Sequence, residues 1–285
     1  MLTTDELISD LKLRASIPET QALFSTERFI QILNSEMNTK IIPLIMRLND
    51  SHFVTNKTVT LPFDRDYISF PSDGLGQSIV DIFINKGRVA LIPLTEKERF
   101  CGGNGIYLEG YKIKFINPSQ YHNKDIVIYY HKRPLPLIST SKTARVTSID
   151  TNIIDVDTNV SSFVPSYQLE VISSIEPFES KGIVTISAKN SNKQYVLDNI
   201  TFLEVGDYLS PKGYTPIPQI PLEAFELLSQ RAVIKCLEAL KDGEGLKNAM
   251  SDYVVMEREL QTLLSPRTGN IPKKIGSSNS LWNSW

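Results

Sequence analysis

The sequence has few of the residues that usually build disulfides, metal sites or reactive centres. Two cysteines and three histidines occur among 285 residues, and two cysteines are too few for a disulfide framework. The histidines, His52, His122 and His131, lack the spacing of metal ligands, so we favour structural or solvent-facing roles for them. Cys236 falls on the apolar side of a helical pattern, where a cysteine usually acts as a small buried hydrophobe. We therefore expect synthesis in a reducing cytoplasm.

Long apolar runs and a strong net charge are also missing. No apolar run approaches the roughly 20 residues that a membrane helix needs. The N-terminus carries Asp5 and Glu6 and no apolar stretch, so it does not resemble a secretory signal. The formal net charge is -2, which gives no global indication of a nucleic-acid or membrane partner. Residues 129–133 combine aromatic and basic side chains that could contact nucleic acid, but we favour a solvated strand end.

The sequence motifs of common enzymes are missing as well. The glycine clusters at 74–78 and 101–105 lack the Lys-Ser/Thr ending of a phosphate loop, and both precede predicted strands. Cys101 has no identifiable basic partner that would make it a nucleophile. Asp155 and Asp157 share one face of a predicted strand and could hold Ca²⁺ or Mg²⁺, although a solvated face is our preferred interpretation. We expect no enzyme activity, no cofactor and no metal.

The last twenty residues differ in composition from the rest of the chain. Trp282 and Trp285, the only tryptophans, lie there among Gly, Pro, Ser, Asn and the cations Arg267, Lys273 and Lys274. So few apolar residues cannot form a core of their own, yet tryptophans are strong anchors in protein interfaces. We expect residues 265–285 to be an extended arm that docks on a partner. A frayed terminus is the alternative.

Helical patterns occur near both ends of the chain. Thr3 and Glu6 form a predicted capping box, Ser25 is a predicted N-cap, and Pro43 should kink or break the helix that contains it. In the last quarter, a helix beginning near Pro221 and a second helix over 246–264 are separated by Asp242 and Gly243. Two helices with so short a joint predict an antiparallel hairpin.

Short β-rich runs fill the middle of the chain. They form two groups, at 53–130 and 144–209, on either side of the stiff sequence Pro134-Leu135-Pro136. We therefore predict an α+β fold in which helical N- and C-terminal halves pack together as an α-helical bundle, with two inserted antiparallel sandwich or barrel units. The predicted boundaries are 1–50 with 217–264 for the helical core, 51–134 and 137–216 for the β units, and 265–285 for the arm.

This order of elements resembles the head-to-tail adaptor proteins of short-tailed phages, the tail tubular protein A-like group. The interiors of the β units do not share the likeness, which is carried by four places. The first place comprises residues 2–8, 13–18 and 24–27, and the second comprises residues 42–46, 52–54 and 67–71. The third comprises Tyr129 and Tyr130 with Arg133 and Pro134, and the fourth comprises residues 218–221, 265–267 and 272–275.

The resemblance implies a non-enzymatic virion protein at the capsid–tail junction, made in the bacterial host cytoplasm. Such adaptors form a ring, commonly dodecameric, that docks on the portal protein, supports the tail or nozzle proteins and lines part of the DNA channel. The portal-docking role would fall to the arm, with these expected contacts: Pro266, Arg267, Ile271, Lys273, Lys274, Ile275, Leu281, Trp282 and Trp285.

Two other functions remain open at this point. The chain could be another neck component, such as a stopper or tail-completion ring, because helical ends with β insertions would suit that position too. A carbohydrate-binding or hydrolytic tail protein is a third hypothesis. It would need a pair of carboxylates in an aromatic cleft, and the β units contain no tryptophan.

Overall fold

Helices lie at the two ends of the chain and strands fill the middle. The computed structural model describes residues 3–18, 23–100 and 105–265. Three α-helices precede the strands and two follow them. They are α1 (Thr4–Arg14), α2 (Thr26–Glu36), α3 (Ile42–Leu48), α4 (Phe225–Leu240) and α5 (Gly243–Leu264).

The first group of strands forms two antiparallel sheets. One has the order β1-β7-β3-β4 and the other the order β2-β6-β5. Buried side chains between them, including Ile82, Ile113 and Ile128, form a separate apolar cluster. The strands are β1 (Val54–Thr60), β2 (Tyr67–Ser69), β3 (Gly74–Ile84), β4 (Gly87–Arg88), β5 (Gly105–Glu109), β6 (Lys112–Ile116) and β7 (Asp125–Lys132).

The second group closes into a six-stranded barrel. Its order is β10-β11-β12-β9-β8-β13, and its interior is filled by side chains such as Phe163, Leu169 and Tyr195, each 0% exposed. A small barrel packed in this way is a core and not a channel. Its strands are β8 (Ala144–Asp150), β9 (Ile153–Val156), β10 (Gln168–Ile172), β11 (Ser180–Ser191), β12 (Gln194–Leu197) and β13 (Tyr208–Pro211).

The predicted fold class, with helical halves packed as a helical bundle, is wrong. Thirteen strands in three sheets outnumber five α-helices in the part of the chain that the structure describes, so the protein is mainly β. The helices also do not close a core by themselves. Phe53, Leu137 and Phe178 from the connecting segments complete it, because short helices with one apolar side leave space that other elements must fill.

The regular α-helix is interrupted just before Pro43, the residue at which a kink or break was predicted. The chain passes from α2 through a π-helical turn, Met37–Ile41, directly into α3, where Pro43 is the second residue. Proline has no N–H to donate, and its ring would clash with the Thr39 carbonyl in a regular α-helix. The wider π-helical turn gives that ring room, so the helical path continues to Leu48.

Local caps predicted at the N-terminus are confirmed. Thr3 donates its backbone N–H to the Glu6 carboxylate at 2.7 Å, and Ser25 accepts from the backbone N–H of Arg28. Helix α1 is also hydrogen-bonded to a segment more than 200 residues away in sequence. The backbone N–H and the hydroxyl of Thr4 both donate to the Pro216 carbonyl, at 2.7 and 2.8 Å. The first helix is thereby tied to the segment that leaves the barrel.

Two amides hold the segment that joins the β units. The Asn34 side chain accepts from the Leu137 N–H at 2.7 Å and donates to the Leu137 carbonyl at 3.2 Å. The Gln219 side chain accepts from the Leu135 N–H and donates to the Phe178 carbonyl, both at 2.8 Å. These amides attach the linker and the barrel loop to the helical core by satisfying backbone groups that would otherwise be unpaired.

The Asn34 side chain should contribute measurably to stability. In Asn34→Ala, the N–H and carbonyl of Leu137 lose their partners, and we expect a loss of about 1–3 kcal/mol in unfolding free energy. Urea unfolding measures this loss. Gln31→Ala, an exposed change on the same helix, should stay within about 0.5 kcal/mol, and equal losses in the two variants would contradict the assignment.

Candidate interface on the C-terminal hairpin

Helix α4 is the central element of the helical core. It is covered by α1 and α2 and by α5. Its apolar residues extend around most of its circumference, which is typical of a helix enclosed by neighbours. Cys236 lies among them at 0% exposure, and burial raises the pKa of its thiol to about 11. The predicted role of Cys236 as a buried hydrophobe is therefore confirmed, while Cys101 lies outside the described residues.

The predicted hairpin is confirmed, and its joint is made by local hydrogen bonding. Lys241 ends α4 in the left-handed region with φ 59°. Asp242 is the N-cap of α5, and its carboxylate accepts from the Gly245 N–H at 3.0 Å. A Cβ at Gly245 would lie 2.4 Å from the same carboxylate, so a larger residue there would require the Asp242 side chain to shift. Farther along, Gln230 donates to the Ala249 carbonyl at 2.9 Å and ties the two helices together.

A buried ion pair joins the two ends of the chain across the core. Both Nε and one terminal nitrogen of Arg231 lie 2.9 Å from the same Glu36 carboxylate oxygen. The side chains are only 15% and 5% exposed. Two charges so far from water are stable only while they remain paired. Glu36 is the last residue of α2 and Arg231 lies in α4, so the pair fixes how these helices meet.

The same guanidinium reaches the outer helix. It lies 5.1 Å from the centre of the Tyr253 ring, a cation–π distance. Burial raises the pKa of Tyr253 to about 12, and the neighbouring Glu257 carboxylate adds to the shift. Glu257 in turn lies 3.7 Å from Arg47 of α3. A chain of polar contacts therefore links four helices and holds α5 in position.

Helix α5 is buried on one side only. Ala249 and Leu260 are its two buried residues among those described, and they lie on the side that meets the core. Met250 fits the helical spacing of the apolar residues in this sequence, but the structure leaves it 49% exposed. Val254, Val255 and Leu263 are 46%, 53% and 56% exposed. These exposed apolar residues make the outer surface of α5 our candidate interface.

The predicted arm begins where α5 ends. Ser265 is the C-cap of α5, and its hydroxyl donates to the Gln261 carbonyl. All nine predicted portal contacts lie outside the described residues: Pro266, Arg267, Ile271, Lys273, Lys274, Ile275, Leu281, Trp282 and Trp285. Their role therefore stays a prediction. The exposed side of α5 was missed by sequence reasoning, because an apolar pattern does not tell which of its residues a neighbour covers.

The other sequence candidates have local structural partners. Asp155 accepts from Ser148 and Gln194, and Asp157 accepts from the Arg145 N–H, so both carboxylates serve the barrel. No cluster of three acidic, His or Cys residues within 3–18, 23–100 and 105–265 is arranged to hold a metal.

Tyr130, from the aromatic and basic run, is 3% exposed and donates its hydroxyl to Asp73. It belongs to the core between the sheets and is not free to stack on a base. His131 beside it is 5% exposed, with Nδ1 2.8 Å from the Ser78 hydroxyl. A structural role fits His131 better than a solvent-facing one.

His52 lies at the junction of the helical core, the first sheets and the barrel loop. A cavity of about 30 Å³ adjoins it, lined also by Phe53, Arg133, Glu179 and Gln219, which is room for one or two waters. Burial lowers the pKa of His52 below its usual 6.5, against the opposing pull of nearby carboxylates, the largest from Glu176. The junction therefore favours a neutral His52 side chain.

No family model matches the chain, and no curated protein matches it either. Within the described ranges, no helix has both the length and the apolar character to cross a bilayer.

Removing one member of the buried ion pair should be costly. In Arg231→Met the Glu36 carboxylate stays buried without its partner, and we expect a loss of about 3–5 kcal/mol in unfolding free energy. Chemical denaturation measures it. The double variant Glu36→Leu with Arg231→Met removes both charges and should recover most of the loss; a double variant as unstable as the single one would refute this account.

Acid should weaken the junction through His52. Its pKa is lowered on folding, so below pH 6.5 the unfolded chain takes up the proton first and stability falls with falling pH. Urea midpoints at pH 7.5 and 5.5 measure the fall, which should be smaller in His52→Gln than in the wild-type chain. His122→Gln, outside this cavity, should keep the wild-type dependence. Parallel pH profiles for the wild-type chain and His52→Gln would rule the effect out.

Proposed function

We propose that the chain is a structural, non-enzymatic protein of a phage virion, a connector subunit that assembles into a ring between the capsid and the tail. The observation that carries the proposal is the position of α5. This helix is tied to the core by buried polar contacts, exposes apolar side chains on its outer surface, and ends directly before the basic, tryptophan-containing residues 266–285. A helix that is fixed to the core and followed by a segment with interface-type residues suits a protein that binds other proteins.

Ring assembly needs two different contact surfaces on each subunit. A closed ring is built from head-to-tail contacts, so one patch must fit a second, unlike patch on the neighbour. Exposed apolar residues outside the hairpin are available for this, since Val80 and Leu91 of the first β unit are 45% and 48% exposed. On the barrel, Ile175 and Val205 are 68% and 63% exposed. Such residues support a subunit with several neighbours.

The arm supplies the portal contact in this proposal. Ordering it costs roughly 1–2 kcal/mol of backbone entropy per residue. Burial of Ile271, Ile275, Leu281 and the two indoles offsets this at about 25 cal/mol per Å² of apolar area. In a ring, commonly of twelve copies, many arms bind at once and avidity strengthens each attachment. Tail or nozzle proteins would bind the opposite side, and genomic DNA would pass through without specific contacts.

Mixing the chain with portal protein tests this function. Mass measurement should show a ring of this chain bound to the portal, and removal of residues 266–285 should abolish the complex while leaving the thermal midpoint nearly unchanged. Trp282→Ala with Trp285→Ala should weaken binding at least thirtyfold, as expected for interface anchors worth 2 kcal/mol or more. Ser277→Ala with Ser278→Ala is the matched control in the same segment. A chain that stays monomeric beside the portal would contradict the proposal.

A further inference from the structure

One face of α5 carries alternating acidic and apolar residues. Asp252, Val255, Glu259 and Leu263 follow the i, i+3, i+7, i+11 spacing that places side chains on one side of a helix. We call these four residues the α5 stripe. Val255 and Leu263 are more than half exposed, and both acids are exposed. Within the described part of the chain, no lysine or arginine forms an ion pair with Asp252 or Glu259.

A groove adjoins the stripe at the Asp252 end. It has a volume of about 370 Å³ and lies between the end of α1 and the two helices of the hairpin. Its walls combine apolar side chains with two carboxylates, and one guanidinium stands at its edge. These residues are Val233, Leu237, Ala249, Asp242, Asp252 and Arg14. The stripe and groove together form an acidic surface with apolar positions.

Residues 266–285 have the complementary composition. They contain three cations, Arg267, Lys273 and Lys274, and no aspartate or glutamate. Their apolar residues are Ile271, Ile275, Leu281 and the two tryptophans. The segment starts at the end of α5. Because it is covalently attached so close to this surface, its local concentration there is higher than that of any separate molecule.

We propose that residues 266–285 dock on the α5 stripe and the adjoining groove of their own chain. Thr268, Gly269 and Asn270 are turn-forming residues that suit a reversal of direction after α5. Beyond them, Ile271 and Ile275 in an extended chain are about 13 Å apart. Leu263 and Val255 on the helix are about 12 Å apart. Because the two spacings agree, Ile271 and Ile275 can each lie beside one exposed apolar residue of the helix at the same time.

The charges follow the same register. With Ile271 beside Leu263 and Ile275 beside Val255, Lys273 falls between them on the side that faces the helix, opposite Glu259. Lys274 points to the other side of the extended segment and adds positive charge nearby. Asp252 is the next acid along the path. Pro272 fits because an extended segment on a helix surface needs no backbone N–H there. Five further residues lead from Ile275 to Leu281 and Trp282, within reach of the groove.

Docking within one chain is favoured over exchange between copies. About five residues connect Ser265 to Ile271, and so short a tether gives an effective concentration in the millimolar range. A second copy at ordinary concentrations cannot match it. The contact covers exposed apolar side chains on both α5 and the arm in the free subunit, and a partner that binds the arm must displace it. This docking does not require the connector function.

Hydrogen exchange of the full-length chain, measured by mass spectrometry without any partner, tests the proposal. Peptides covering 271–282 should exchange at least tenfold more slowly in the wild-type chain than in Asp252→Lys with Glu259→Lys. Glu96→Lys with Glu98→Lys makes the same change of charge in the first β unit and should leave that protection intact. Protection should also be independent of protein concentration.

Exchanging the charges of the arm and the α5 stripe gives a second test with the same hydrogen-exchange measurement. Lys273→Glu with Lys274→Glu should remove the protection, and combining these changes with Asp252→Lys and Glu259→Lys should restore most of it. Three results would overturn the proposal: no protection in the wild-type chain, protection that survives reversal of the stripe, or protection that grows with concentration, which would assign the surface to a second copy. Because no portal is present, failure here is separate from failure of the connector function.

Discussion

The buried pair of Glu36 and Arg231 is the contact on which the helical core depends. Taking a carboxylate and a guanidinium out of water is expensive, and only their mutual attraction and hydrogen bonding compensate for it. The pair therefore penalises any arrangement in which α2 and α4 separate or slide. The Arg231 guanidinium also contacts Tyr253 of α5, and Glu257 of α5 makes a more exposed contact with Arg47 of α3. A helix that is exposed on its outer side is thus held firmly on its inner side.

Side-chain hydrogen bonds hold the β units in position relative to the helical core. Asn34, Gln219 and Thr4 each bind backbone groups of segments that enter or leave these units. Backbone groups in such connections must find partners, and side-chain amides supply both a donor and an acceptor. The sheets and the barrel have apolar interiors of their own, and these hydrogen bonds attach them to the helical core.

Sequence reasoning succeeded where the deciding interactions are local. The capping box at Thr3, the N-cap at Ser25 and the joint at Asp242 each depend on residues within three positions of one another. It failed where distant contacts decide. The run 201–205 has the composition of a short strand, but Val205 lies in a connection and is 63% exposed. Met250 fits the apolar spacing of α5, yet it stays 49% exposed. The predicted arm contacts remain predictions.

The amino-acid sequence by itself determined the helix caps near the N-terminus, the turn of the hairpin and the middle of the chain as the region of the strands, because caps, turns and alternation act over a few residues. It also determined the unusual composition of the last twenty residues. Only the tertiary structure decided that β elements dominate, that the second group of strands closes into a barrel, and that one side of α5 stays uncovered. Glu36 and Arg231 are 195 positions apart, and no local pattern can express an interaction that exists only after the chain has brought both ends together.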